Sequence, residues 1–393
     1  VRALLVLALA AIALATLWPM PPIDPAPGGS LVRLDPAAAD FARNLALFLP
    51  IGALLARRPR RVAVGAALAA SAAVELLQLA IPGRVPSPWD VVANGLGAAG
   101  GHVLAGLRAR AWAGDPVLAR RAYGTWSAIV VVALVVASAG HRIALPPPPY
   151  FGHWTPDLGH LETYTGRLDA VELDGAPLPI GRIAGSEIRD TLGGPHVLRV
   201  RGTAGTPPAR LSGLVLITDV ERREVAMIGL RGERAMYRLR TLGDVLGLES
   251  GFPWWDEAFA GVDAGAPFTL SARRDGATLC LSVSGRERCG LAPRIEDGWL
   301  QWLPAPMLPA TTRRTLGMAW LVVLFAPLGY GLRARPDRIA GVTAAIAALA
   351  SAPWLGPVEP LAPAMGATVG LALGLGRLAR VVRERAARPA QPA

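Results

Sequence analysis

The chain is poor in the residues that usually announce an enzyme. It has two cysteines and five histidines in 393 residues. No His/Cys/Asp cluster has the spacing of a metal site, so neither a metal nor any other cofactor is expected. A Walker loop, a glycine-rich dinucleotide fingerprint and a nucleophile elbow are all missing, which removes the commonest nucleotide-dependent and serine-hydrolase chemistries. Aromatic residues make up only 6% of the chain. The apolar content is therefore carried by Ala, Leu and Val.

That content is high. The chain is 52% hydrophobic with a mean hydropathy of +0.38, a composition that suits a membrane protein better than a soluble enzyme. Apolar stretches run over about 3–20, 39–56, 62–81, 89–107, 125–144, 313–332, 339–355 and 362–379. Most approach the twenty residues that a bilayer crossing needs. The net charge of +11 does not point to nucleic acid, because much of the excess sits in short loops beside these stretches. Arg57, Arg58, Arg60 and Arg61 follow the second stretch. Arg108, Arg110, Arg120 and Arg121 follow the fourth, Arg333, Arg335 and Arg338 the sixth, and Arg377, Arg380, Arg383, Arg385 and Arg388 the eighth. The intervening connections carry little charge. The positive-inside rule then predicts a multi-pass protein of the cell (inner) membrane with both termini in the cytoplasm. The first stretch has the basic Arg2 and apolar run of a signal peptide, which stays open as an alternative, but it ends in Trp18-Pro19-Met20-Pro21-Pro22, not at a small-residue cleavage site, which favours a retained helix.

Residues 146–311 break the pattern. Pro146-Pro147-Pro148-Pro149 opens the region as a stiff spacer. Short alternating runs follow: Val197 to Arg201, Leu211 to Thr218, Ala235 to Leu239, Phe268 to Ala272 and Thr278 to Ser284. They predict an all-β sandwich, and the charge rule puts it outside the cytoplasm. Cys280 and Cys289 flank Ser284-Gly285-Arg286, a hairpin turn, so they can face each other on two strands and form a disulfide in an oxidising compartment. The predicted architecture is an α-helical polytopic membrane protein of about eight transmembrane helices with an inserted extracytoplasmic all-β sandwich. Its parts are 1–145 (spans one to five), 146–311 (sandwich), 312–380 (spans six to eight) and 381–393 (a basic cytoplasmic tail).

Three polar strings interrupt the apolar segments. Asp40 and Asn44 are four residues apart. Ser71, Glu75 and Gln78 follow the helical repeat, as do Asp90, Asn94 and Gly97. Each set lines one helix face, and three such faces can meet inside a small bundle. Carboxylates in hydrocarbon are costly, so a functional site is expected. An internal repeat is also legible. Leu47-Phe48-Leu49-Pro50-Ile51-Gly52 recurs as Leu324-Phe325-Ala326-Pro327-Leu328-Gly329, and the register continues to Arg58-Pro59 and Arg335-Pro336. The polar residues do not recur, which marks the second copy as a degenerate parallel half.

With these residues in place, the stretch 39–107 resembles the VanZ-like family, named for a teicoplanin-resistance protein. The resemblance rests on Asp40…Asn44, Pro50-x-Gly52, Glu75…Gln78, Gly83-Arg84 and Ser87…Asp90…Asn94-x-x-Gly97. It implies a polytopic membrane protein of the cell envelope, with a link to glycopeptide-type antibiotic susceptibility and without a settled reaction. Region 146–311 is similar in pattern to the concanavalin A-like jelly-roll domain inserted in some members.

Glu75 is the candidate acid/base or proton carrier. The bland reading is a packing hydrogen bond to Gln78 or Asn94. Asp40, Asn44, Gln78, Arg84, Asp90 and Asn94 are the candidate substrate-binding residues. Capping competes for Asp40 and Asp90, and a solvated or headgroup arginine competes for Arg84. Gly97-x-x-x-Gly101 reads as close helix packing, and His102 as a packed residue. Trp254-Trp255 either stacks on a glycan or belongs to a core. The expected partner is a membrane lipid or lipid-linked cell-wall precursor, bound or modified at the helical site. Two other functions stay open: a non-enzymatic protein that binds glycan or antibiotic through the sandwich, and a lipid or proton-coupled transporter.

Overall fold

In a computed structural model of the protein, the described residues are 2–17, 38–81, 84–112, 116–158, 161–183, 185, 187–248, 253–301, 310–331, 336–356, 358 and 363–386. The Trp18 to Pro22 flank, Gly83 and Arg335 lie outside them. The chain forms two compact units, Val1–Thr125 and Trp126–Ala393.

The first unit is helical: α1 (Arg2–Leu17), α2 (Ala38–Leu54), α3 (Arg60–Gln78) and α4 (Pro88–Trp112), with α5 (Pro116–Ala139) running out of it. Ala- and Leu-rich sequence favours helix throughout. Ile12, Phe48, Ile51, Ala67 and Ala98 form its buried cluster, so all four helices contribute. Glycines set the packing of α2 on α4. A Cβ on Gly52 would strike the Ala98 carbonyl oxygen, and one on Gly101 would strike that of Leu49.

The second unit holds the β region and the remaining helices. Its strands, in chain order, are β1 (Tyr150–Trp154), β2 (Arg167–Leu173), β3 (Ala176–Pro177), β4 (Gly181–Ile183), β5 (His196–Thr203), β6 (Ser212–Thr218), β7 (Glu224–Arg231), β8 (Arg234–Leu239), β9 (Trp254–Trp255), β10 (Pro267–Asp275), β11 (Thr278–Val283) and β12 (Arg286–Cys289). Short helices α6 (Glu187–Gly193) and α7 (Leu242–Val245) interrupt them, and a 3-10 helix follows at Ile295–Gln301. The strands form two six-stranded sheets, ordered β4-β1-β6-β7-β8-β9 and β12-β11-β10-β5-β2-β3. All named pairings are antiparallel. Alternate residues of both sheets, among them Leu198, Val200, Leu270, Ile217, Ile228 and Tyr237, meet in one core. Ser284 and Gly285 both have positive φ (48° and 89°), the turn that closes the β11–β12 hairpin.

Helices α8 (Ala310–Gly331), α9 (Pro336–Ala350), α10 (Ala352–Leu355) and α11 (Pro363–Ala386) complete the unit. Here the glycine packing of the first unit recurs. Gly329 abuts the Leu373 carbonyl and Gly376 that of Ala326, as Gly52 abuts Ala98 and Gly101 abuts Leu49. The last turns of α1 and α5 also match: Thr16 Oγ1 donates to the Ile12 carbonyl at 2.7 Å, and Ser138 Oγ to that of Leu134 at 2.9 Å.

The number of spans differs from the sequence expectation. Among the described residues three helices, not eight, are long and apolar enough by themselves to cross a membrane: Arg60–Gln78, Val117–Ala139 and Pro363–Glu384. Helices α1, α2 and α9 have only 16, 17 and 15 residues. Helix α4 is long, but Asp90, Asn94, His102 and its glycines dilute its apolar content.

Candidate functional site

Helix α4 packs against two neighbours at once. Its Gly97 and Gly101 face the Leu45 and Leu49 carbonyls of α2 so closely that no side chain fits. Its Gly95 faces the Leu68 side chain of α3. This close approach, which small residues allow between helices, brings Asn94 against α3. There Asn94 Nδ2 donates to Ser71 Oγ at 2.8 Å. Both residues are buried, with 4% and 0% exposure. The other end of the amide is different: Asn94 Oδ1 is buried and accepts no hydrogen bond from a described residue.

Glu75 lies one turn along α3 from Ser71. Its Oε2 accepts the backbone N–H of Ser87 at 2.7 Å. Ser87 precedes Pro88, the first residue of α4, so Glu75 pins the start of α4 to α3. Asp90 sits in the first turn of α4 and within electrostatic range of Glu75. Ser71, Glu75, Asp90 and Asn94 thus share the α3–α4 seam.

The other predicted residues are placed differently. Gln78 is buried, and its Nε2 donates to the Thr16 carbonyl at 3.0 Å, tying α3 to the end of α1. Asp40, in the first turn of α2, pairs with Arg43 of its own helix at 2.8 Å. Asn44 is half-buried one turn further along. Arg84 is half-buried in the segment that leads from α3 to α4, its backbone N–H on the Ile81 carbonyl at 3.2 Å. His102 Nε2 lies 3.0 Å from the Arg58 carbonyl oxygen and links α4 to the turn after α2. The sequence reading noted Ser71 by its helical spacing but gave it no role. It also had no signal for the backbone partners Ser87 and Thr16, since any residue supplies those groups.

Magnitudes bear on what the seam is for. An interhelical hydrogen bond in a membrane contributes about 0.6 kcal/mol on average. A buried acceptor left without a donor costs about 1–3 kcal/mol. The Asn94–Ser71 bond by itself does not offset an Oδ1 without a donor.

In the β region, Cys280 and Cys289 are directly opposed on β11 and β12 and joined by a disulfide. Glu287 lies close to both sulfurs, but the bond between them leaves no thiolates for a metal. Trp254 and Trp255 form β9 and are buried, at 5% and 6% exposure. Trp255 joins the inter-sheet core, and Trp254 packs on the opposite face with Leu216, Met227 and Met236. Arg234 covers the Trp254 ring at 5.1 Å.

No curated protein and no solved structure matches the chain. Residues 8–109, which run from within α1 to within α4 and contain the whole α3–α4 seam, match the family model described as VanZ/LLP1 and support a VanZ-like domain there.

Proposed function

We propose that the VanZ-like domain binds the polar head of an amphiphilic envelope molecule, a phospholipid or a lipid-linked cell-wall precursor, at the α3–α4 seam. The observation that carries this reading is the buried, unpartnered Asn94 Oδ1 beside Ser71 and Glu75. Such an acceptor asks for an O–H or N–H from outside the protein, and sugar and glycerol headgroups supply one. Glu75 holds the entry to α4 and brings a carboxylate to the seam, as the acid/base if the bound molecule is also modified. Asp90, within electrostatic range of Glu75, and Arg84, in the segment between α3 and α4, are assigned to the charged parts of the head. In this reading the protein is multi-pass, with both termini in the cytoplasm and the β region outside. The arginine-rich loops and the disulfide are consistent with that orientation. An effect on glycopeptide-type antibiotic susceptibility would follow from a change in the envelope molecule it holds.

The test is native mass spectrometry of the full chain purified from membranes, with the bound lipids identified. A defined amphiphile should be held by the wild type and lost from Asn94→Leu and Glu75→Gln. An identical lipid profile in all three proteins would end this assignment. Loss of the amphiphile on deleting residues 150–310, with the seam intact, would move binding to the β region.

A further inference from the structure

The second unit contains a polar cluster at one end of the inter-sheet core. Along β10, Phe268, Leu270 and Ala272 point inward, and the same alternation carries Arg274 inward after them. Arg274 is directly opposite His196 on β5 and Leu279 on β11. Tyr237 enters from the other sheet, and its hydroxyl meets His196 Nε2 at 2.7 Å. His196 Nδ1 lies 2.8 Å from the Gly194 carbonyl, so Nδ1 carries the proton and Tyr237 donates to Nε2. His141, two residues beyond α5, completes the group. It is 5% exposed, and its Nε2 is buried and bonded to no described residue.

His141, Tyr237, Arg274 and Leu279 line a cavity of about 40 Å³, with His196 behind the Tyr237 hydroxyl. Its lining also includes Arg238, and no acidic residue lines it. Arg238 is already paired with Glu224 and Asp244 at 3.0 and 2.8 Å. Arg274 makes no ion pair with a described residue. The exposed turn residue Gly276 and the half-buried Ala277 form part of the wall and open it to the surface. At about 10–15 Å³ per water, the space takes about three waters, close to the bulk of one carboxylate or phosphoryl group.

We propose that this cavity binds a small oxyanion, a carboxylate or phosphate group, held by the Arg274 guanidinium and by N–H donation from the His141 imidazole. An inward arginine without an acid, facing an unpartnered buried imidazole, is left uncompensated in the empty fold, and an oxyanion satisfies both. Burial lowers the basicity of Arg274 and holds the His141 imidazole at a pKa of about 4, and a bound anion would reverse both effects. The anion can be a free solute or the headgroup of an acidic lipid, because His141 lies just past the end of the candidate span Val117–Ala139.

The experiment titrates inorganic phosphate and acetate into the full chain in neutral detergent by calorimetry, for wild type, Arg274→Gln and Ala277→Glu. The second variant places a carboxylate at the mouth and leaves the core intact, so it remains informative if the first fails to fold. Wild type should bind at least one of the two anions, with affinity reduced tenfold or more in either variant. Nanodiscs of phosphatidylglycerol or phosphatidylcholine distinguish the sources. Selective retention of phosphatidylglycerol, displaced by phosphate, identifies a headgroup, and phosphate binding equal in both discs identifies a solute. Wild type that binds neither anion, or variants that bind as wild type does, would overturn the proposal.

Discussion

His141 gives the β region an acid-sensitive step whose size can be worked out. Burial is the main cause of its low pKa, about 4 against an ordinary 6.5; Asp244 opposes the shift and Arg274 adds to it. Above pH 6.5 the imidazole is neutral in both the folded and the unfolded chain, and contributes no pH dependence. Between 6.5 and 4 the unfolded chain takes up a proton that the folded chain refuses, so stability falls as pH falls. At about 1.4 kcal/mol per pKa unit, the loss reaches about 3 kcal/mol by pH 4. His141→Gln keeps a polar side chain there and removes the titration. The assay is amide hydrogen exchange of β8 and β10 in the full chain from pH 7.5 to 4, corrected for intrinsic rates, in chloride buffer without oxyanions. Wild type should lose about a hundredfold more protection than the variant over that range, which is about 3 kcal/mol. His196 shifts in the same direction but is common to both proteins and cancels in the comparison. Equal slopes in the two proteins would refute the reasoning.

Three further outcomes are expected. Gly101→Leu drives a side chain into the Leu49 backbone and should destabilise the first unit by at least about 1–3 kcal/mol, whereas Gly106→Ala, with nothing within 4 Å, should not; detergent melts of the two variants compare them. Reducing the Cys280–Cys289 bond frees a loop of sequence separation 9 and should cost about 2–3 kcal/mol, read as a lower unfolding midpoint of the β region in reductant. Thr241→Ala removes the N-cap of α7, where Thr241 and Asp244 cap each other reciprocally, and should cost about 1 kcal/mol in denaturant unfolding, with Thr241→Ser restoring most of it.

Much of the architecture could be read without coordinates, because periodicity is a local property. The apolar runs became helices, and five strands were legible as alternating segments between turn residues. The short strands β3, β4 and β9 were not, since two or three residues carry no period of their own and are held by their neighbours; β1, β2 and β7 were not picked out either, and β7 is buried along almost its whole length and so does not alternate. The span count was overestimated for a related reason. Hydropathy along the sequence merges flanking residues with a helix, whereas α2 and α9 are shorter than their apolar runs.

The polar face of each helix was determined by sequence alone, through the spacing of Ser71, Glu75, Asp90 and Asn94. Which faces meet was decided only by tertiary packing. Glycine contacts draw α2 and α4 together and present Asn94 to Ser71, while Gln78 turns to the end of α1. The His141–Tyr237–Arg274 cavity was invisible beforehand for the same physical reason. Its residues come from a helix end and two different sheets, and contacts between residues far apart in the chain leave no periodic trace in the sequence.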